Sequence, residues 1–369
     1  MDWKRITAAM LLVCTLAIPA RAEEAPKGEA NITPQTTMRE LRANPSIIGS
    51  GIYTYSQEQE NECRREKWAD TTLEEFVNSY TADECAKGLN HLIENYNAGV
   101  QITHKIYTAE EIAAVPSRNK AELYYFPGNT KGGKYVLILG GNAVNTSAEL
   151  REGVTTAEAM NELGYTAFVL RYRIGRDAEN DAPLEDIFHA VAYITAHAEE
   201  LGVSPEDYAI VGYSSGGQIA GFFGSDELGW KKYGLPKPGA LLLGYPVNSF
   251  SYIKPVWALR IDPFANGTRY FERDMDKYIT ADFPPTYHWE GKNDEELAKL
   301  WMPAQGKRIE KALAANGVPH KSIYFKNAPH KIGPGVGTDA EGWLADAAAF
   351  WEEQVAAKNG AEQGTEAAA

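Results

Sequence analysis

The feature that most constrains this chain is a corner. An apolar run, Tyr208-Ala209-Ile210-Val211, leads into Gly212-Tyr213-Ser214-Ser215-Gly216-Gly217, and Gln218-Ile219-Ala220-Gly221-Phe222-Phe223 continues as the start of a helix. A short buried strand thus turns sharply into a helix through a stretch of serine and glycine. Such a corner needs a small residue two positions before and two after the residue at its tip. Gly212 and Gly216 satisfy that for Ser214, whereas Ser215 has the bulky Tyr213 two positions earlier. The register therefore selects Ser214 as the exposed hydroxyl. Ser215, at the helix start, supplies a backbone N–H that can face a developing oxyanion. Gly-x-Ser-x-Gly alone is a weak motif, and a tight structural turn is its plain alternative; the strand and helix around it give it force.

That corner belongs to a longer alternation. Strands are expected at 121–126, 134–139, 165–172, 207–212, 239–245, 285–289 and 321–325, and helices at 155–163, 183–201, 295–315 and 340–353. Leu184, Ile187, Ala190, Val191 and Ile194 form one apolar face of the second of these helices. Strands that alternate with helices predict an α/β fold with a mostly parallel sheet and helices on both faces. Residues 38–118 read as an N-terminal, mainly helical extension, with a capping box expected at Thr72 and Glu75. The expected division is a signal peptide at 1–22, a linker at 23–37, the extension at 38–118, a catalytic domain at 119–356 and a disordered tail at 357–369.

A serine hydroxyl needs a base. In a sheet of this kind the partners follow in the order Ser, acid, His, each past a strand's C-terminal end. Downstream of Ser214 stand His288, His320 and His330. His288 falls inside a strand and His320 at a strand's beginning, the wrong end; His330 follows a strand in the glycine-rich stretch "NAPHKIGPGVG". His330 is therefore the expected base. The acid should follow the preceding strand, where "PPTYHWEGKNDEEL" offers Asp294, with Glu290 in reserve. Asp294 also suits an N-cap for the helix at Glu295, and the two roles are expected to compete. "LILGGNAVN" ends a strand in Gly140 and Gly141, candidates for a second oxyanion donor, with Asn142 next in line.

Residues 121–355 resemble the α/β-hydrolase superfamily, on its branch of small serine esterases, near acetyl-xylan and feruloyl esterases and prolyl-oligopeptidase catalytic domains. "LILGGN", "FVLRYR", "PLEDIFHAVAYI", "GYSSGG", "LGYPV", "PPTYHWEGKND" and "ALAANGVPHKSIYFKNAPH" carry the likeness, in order. The resemblance implies a triad of Ser214, His330 and Asp294, an acyl-enzyme intermediate, short acyl groups such as acetyl, and no cofactor or metal. The chain departs from many relatives at the oxyanion loop, where Leu139-Gly140-Gly141-Asn142 stands in place of His-Gly-Gly-Gly. Two other readings stay open: a prolyl-oligopeptidase-like peptidase, for which the extension is too short to form a propeller, and a binding protein on a hydrolase fold.

Charge and cysteine use bear on place and partners. Net charge is −14, which disfavours nucleic acid and anionic membrane surfaces. Lys4 and Arg5, an apolar run at 6–20 and Ala20-Arg21-Ala22 read as a cleaved secretory signal, so a periplasmic or secreted protein is expected. Val13 before Cys14 argues against a lipid-modified cysteine. Cleavage leaves Cys63 and Cys85, an even pair that predicts a disulfide in an exported chain. The stretch 250–283 is rich in aromatics, among them Phe250, Tyr252, Trp257, Phe264, Tyr270 and Phe271, and reads as a substrate-binding insert or as local packing. The partner expected is a small-molecule or carbohydrate ester.

Overall fold

The computed structural model describes residues 26–52, 68–141, 148–250, 273–299 and 304–366. Eight strands form one sheet: β1 (Thr103–Lys105), β2 (Glu122–Phe126), β3 (Tyr135–Leu139), β4 (Thr166–Arg171), β5 (Ala209–Tyr213), β6 (Ala240–Gly244), β7 (Thr286–Gly291) and β8 (His320–Phe325). Their order across the sheet is β1-β2-β4-β3-β5-β6-β7-β8. β1 and β2, and β2 and β4, run antiparallel; every pair from β4 to β8 is parallel. β3 and β5, covered on both faces, carry no charged residue, and all five residues of each are buried.

Alternate side chains of each strand feed two cores. Val136, Ile138 and Val211 point to one face; Leu137, Leu139 and Ile210 point to the other. The first face packs against α1 (Met38–Ala43), α2 (Pro45–Ser50), α3 (Leu73–Val77), α4 (Ala82–Asn97), α5 (Thr155–Glu162) and α9 (Trp343–Glu366), through residues such as Leu89, Ile93, Met160 and Trp351. The second packs against α6 (Ala182–Ala196), α7 (Ser214–Gly224) and α8 (Gln305–Ala315), through Ile187, Val191, Phe222 and Leu313. The layout is a mostly parallel sheet with helices on both faces and a helical N-terminal region.

The expected capping box forms: Thr72 Oγ1 accepts the Glu75 N–H at 3.2 Å, and Glu75 Oε2 accepts the Thr72 N–H at 2.9 Å. Elsewhere the boundaries shift. β1 lies inside the expected extension, so the sheet begins before residue 119. The described part of the expected linker is docked rather than loose: Ile32 is buried, its N–H donates to Asn90 Oδ1 at 2.8 Å, and Asn90 Nδ2 donates back to its carbonyl at 2.9 Å. The helix expected at 183–201 breaks at His197, and that at 295–315 becomes two pieces, Glu295–Lys299 and α8. The last helix runs on to Glu366, through most of the tail expected to lack structure, because its Ala, Glu and Gln residues are good helix formers.

The Cys63–Cys85 bridge is corrected. Cys85 is a free thiol, fully buried on the inner face of α4 beside Leu89, where it packs as a small apolar residue. Cys63 lies outside the described residues, as do the expected signal peptide, Asn142, and Tyr252, Trp257, Phe264, Tyr270 and Phe271 of the aromatic stretch. Among the described residues no helix is long and apolar enough to cross a membrane.

Candidate active site

β5 ends at Tyr213, and α7 begins at Ser214, so no loop separates strand from helix. The chain makes the corner by placing Ser214 in the left-handed region, at φ +50°. A non-glycine residue there costs on the order of 1–3 kcal/mol and persists only where its surroundings hold it. The neighbouring glycines are required by space. A Cβ on Gly216 would stand 2.4 Å from the Leu139 carbonyl oxygen, and one on Gly212 would stand 2.8 Å from Gly217 Cα. The Ser214 carbonyl accepts the Val247 N–H at 2.9 Å, tying the corner to the loop after β6.

Asp294 follows β7, and His330 lies in the loop after β8. The structure brings both to Ser214. His330 Nε2 lies 2.9 Å from Ser214 Oγ, and His330 Nδ1 lies 2.7 Å from Asp294 Oδ2. Ser214 and Asp294 are buried, with 8% and 6% of their surfaces exposed, so both ends of the line of hydrogen bonds are largely shielded from solvent. Asp294 also caps the helix that follows it: Oδ1 accepts the Leu297 N–H at 3.1 Å. The expected competition between these roles is corrected, because the carboxylate gives one oxygen to each. Burial pushes the Asp294 carboxyl up, but the hydrogen bond and charge of His330 and the N–H groups of Leu297 and Glu296 outweigh it and hold the pKa below the usual carboxylate value.

The other candidates stand apart. His288 is wholly buried in β7, with Nε2 at 2.7 Å from Ser322 Oγ, and burial lowers its pKa to about 3. His320 Nδ1 lies 2.7 Å from the Val318 carbonyl oxygen. Glu290 accepts the Gly306 N–H at 2.8 Å, and burial raises its pKa above the usual value.

At the oxyanion loop the expectation needs correction. Gly141 does lie against the nucleophile: a Cβ there would stand 2.7 Å from Ser214 Cβ. Its N–H, however, donates to Glu152 Oε2 at 2.6 Å. The Gly140 carbonyl accepts the Tyr172 hydroxyl at 2.5 Å. Ser215 lies in the first turn of α7, where the helix N–H groups face outward from the elbow. The competitor for Gly141 comes from Glu149–Val154, a widened helical turn in which the Gly153 N–H reaches back to the Ala148 carbonyl.

Several residues near the site carried no signal in the sequence. Glu152 is one of two acidic residues in Glu149-Leu150-Arg151-Glu152, and residue type does not single it out. Tyr245, in "LGYPV", lies with its ring 4.5 Å from the His330 ring. Arg151 Nε donates to the Val77 carbonyl at 2.5 Å, and Asn78 Nδ2 donates to the Lys331 carbonyl at 2.8 Å. The N-terminal region thus touches both the turn after the oxyanion loop and the loop that carries His330.

A strained serine between a parallel strand and a helix, with an acid and a histidine supplied by the next strands, defines the α/β-hydrolase fold. The chain has that fold. A family model described as BD-FAE matches residues 123–228, from β2 past the end of α7. A sugar hydrolase from Lactococcus lactis is 21% identical, with 64% of this chain and 94% of that chain covered and a TM-score of 0.55. An acetyl ester-xyloside bifunctional hydrolase from Caldicellulosiruptor lactoaceticus is 20% identical, with 68% and 95% covered and a TM-score of 0.55. An inhibited esterase B from Lactobacillus rhamnosis is 16% identical, with 76% and 99% covered and a TM-score of 0.54. No curated protein matches in sequence.

Proposed function

We propose that the protein is an exported serine hydrolase that cleaves carboxylic esters of short acyl groups through an acyl-enzyme intermediate. The observation that carries this reading is the unbroken line from Ser214 Oγ through His330 to Asp294, at 2.9 and 2.7 Å, on a serine held at φ +50°. With Nδ1–H donating to Asp294, Nε2 is the free base. It takes the proton as Ser214 Oγ attacks the acyl carbon, then returns it to the leaving alcohol. Water enters by the same base and releases the acid. Asp294 fixes the ring and stabilises the imidazolium. The Ser215 N–H, at the start of α7, holds the oxyanion.

Short acyl groups are supported by the resemblance to acetyl-xylan esterases and by the acetyl ester named for the Caldicellulosiruptor lactoaceticus relative. Export is supported by the charged, apolar and small-residue pattern of residues 1–22. The hydrogen-bonded serine argues against a binding protein on a hydrolase fold, which has no use for a strained nucleophile.

The test is a panel of p-nitrophenyl esters of two to twelve acyl carbons, set beside aminoacyl amides. The expected result is hydrolysis of the esters with activity falling beyond about four carbons, since each further CH₂ must find about 0.8 kcal/mol of buried contact to compensate. A twelve-carbon optimum removes the short-acyl assignment. Cleavage of the amides alone makes the protein a peptidase.

A further inference from the structure

Glu152 has 1% of its surface exposed. A carboxylate so buried must find strong donors. It finds two uncharged ones: Oε2 accepts the Gly141 N–H at 2.6 Å, and Oε1 accepts the Tyr245 hydroxyl at 2.7 Å. Each donor borders the site from a different side. Gly141 lies against Ser214, and the Tyr245 ring lies against the His330 ring. The Tyr245 oxygen also accepts the Gly333 N–H at 3.1 Å, three residues beyond His330. Tyr245 follows β6 directly and sits at φ +38°, a left-handed conformation that a bulky residue keeps only when its surroundings demand it. Burial, and then the charge of Glu152, push its phenol well above the usual range, so it stays an O–H donor.

We propose that Glu152 is a positioning residue for the reaction assigned above: one carboxylate fixes both the glycine beside the nucleophile and the tyrosine packed on the imidazole. The inference rests on the serine-hydrolase reading. Its chemistry requires an acceptor on both oxygens, because both neighbours donate. An amide offers one acceptor and one donor, so Glu152→Gln must lose or reverse one of the two bonds. The link also commits the Gly141 N–H to Glu152 Oε2.

The test compares wild type, Glu152→Gln, Tyr245→Phe and the double variant. The readouts are kcat and KM on p-nitrophenyl acetate, and the low-field proton resonance of His330 Nδ1–H. Each single change is expected to lower kcat on the order of 10- to 100-fold with KM held, and to move the resonance. The double variant should lose no more than the worse single, because both break one link. If Glu152→Gln does not fold, Tyr245→Phe, which keeps the ring on His330, carries the same test. Wild-type kcat with an unmoved resonance overturns the proposal, and so do losses that multiply in the double variant. Should wild type itself neither hydrolyse esters nor react with a phosphonate, the hydrolase reading fails. The resonance then still decides the role of Glu152: a shift supports it and an unmoved line overturns it.

Discussion

The histidine arm of the site is made of side chains, and the oxyanion arm is made of backbone. Asp294 and His330 act through a carboxylate and an imidazole, and residue type limits the candidates for such roles to a few positions. Gly141 and Ser215 bear on the site through N–H groups that every residue but proline owns. The arms also differ in what holds them. Asp294 is fixed by His330 on one oxygen and the Leu297 N–H on the other. Gly141 is fixed by a carboxylate eleven residues away in sequence, from a helical turn that Arg151 ties to the carbonyls of Val77 and Phe76. A site of this kind is thus half encoded in which residues are present and half in where the chain places its own amides.

The largest expected effects separate the arms at once. Ser214→Ala and His330→Ala should each lower kcat on p-nitrophenyl acetate on the order of 10³- to 10⁶-fold, while His320→Ala stays near wild type in the same steady-state assay. A dead His320→Ala variant would break the assignment of the histidine arm.

Asp294→Asn sharpens the comparison further, because asparagine caps helices as well as aspartate does. Its kcat should fall on the order of 10⁴-fold while the helix cap is kept. Asp294→Ala should lose the cap as well, about 1 kcal/mol of stability by thermal melting. The folded pKa of Asp294 is depressed, so its stabilising contribution is present above the unfolded value of about 3.9 and is lost as pH falls through the folded value. Denaturant titrations across that acid range should show a shallower loss of stability in Asp294→Asn than in wild type.

The backbone arm is tested through stability rather than through kcat. A Cβ at residue 216 would meet the Leu139 carbonyl oxygen at 2.4 Å, a rigid partner. Gly216→Ala should therefore cost about 1–3 kcal/mol in chemical denaturation, through forced backbone movement. The smallest effect on kcat is expected at the contact between the N-terminal region and the histidine loop. Asn78→Ala removes the hydrogen bond to the Lys331 carbonyl together with those that Asn78 Oδ1 accepts from the Tyr80 N–H and the Thr81 hydroxyl, each worth about 1 kcal/mol. The thermal midpoint should drop, and kcat should change by no more than a few-fold.

The same division governs what could be read before the fold was known. The strands β2 to β8 were legible to within two residues, most plainly β3, β5 and β6, where burial on both faces leaves a short run without charge. β1 was not, because Thr103-His104-Lys105 is short, polar and at the sheet edge. The continuation of α9 to Glu366 was hidden by a composition that suits both a helix and a low-complexity tail. Ser214, His330 and Asp294 were legible as candidates by residue type and order. The double use of Asp294 was not, since nothing in a residue's identity says that its two oxygens face different donors. Glu152 and the commitment of the Gly141 N–H were invisible for the same reason: a buried carboxylate is recognised by its surroundings. Cys85 misled because an even cysteine count says nothing of which face of a helix a thiol occupies.

The most direct test of the central claim is covalent labelling with a fluorophosphonate, followed by peptide mass spectrometry. A single adduct is expected, on Ser214. It should disappear in Ser214→Ala, and it should persist in Ser215→Ala, where the backbone N–H at the start of α7 is kept. An adduct on Ser215, or labelling that survives Ser214→Ala, would contradict the account.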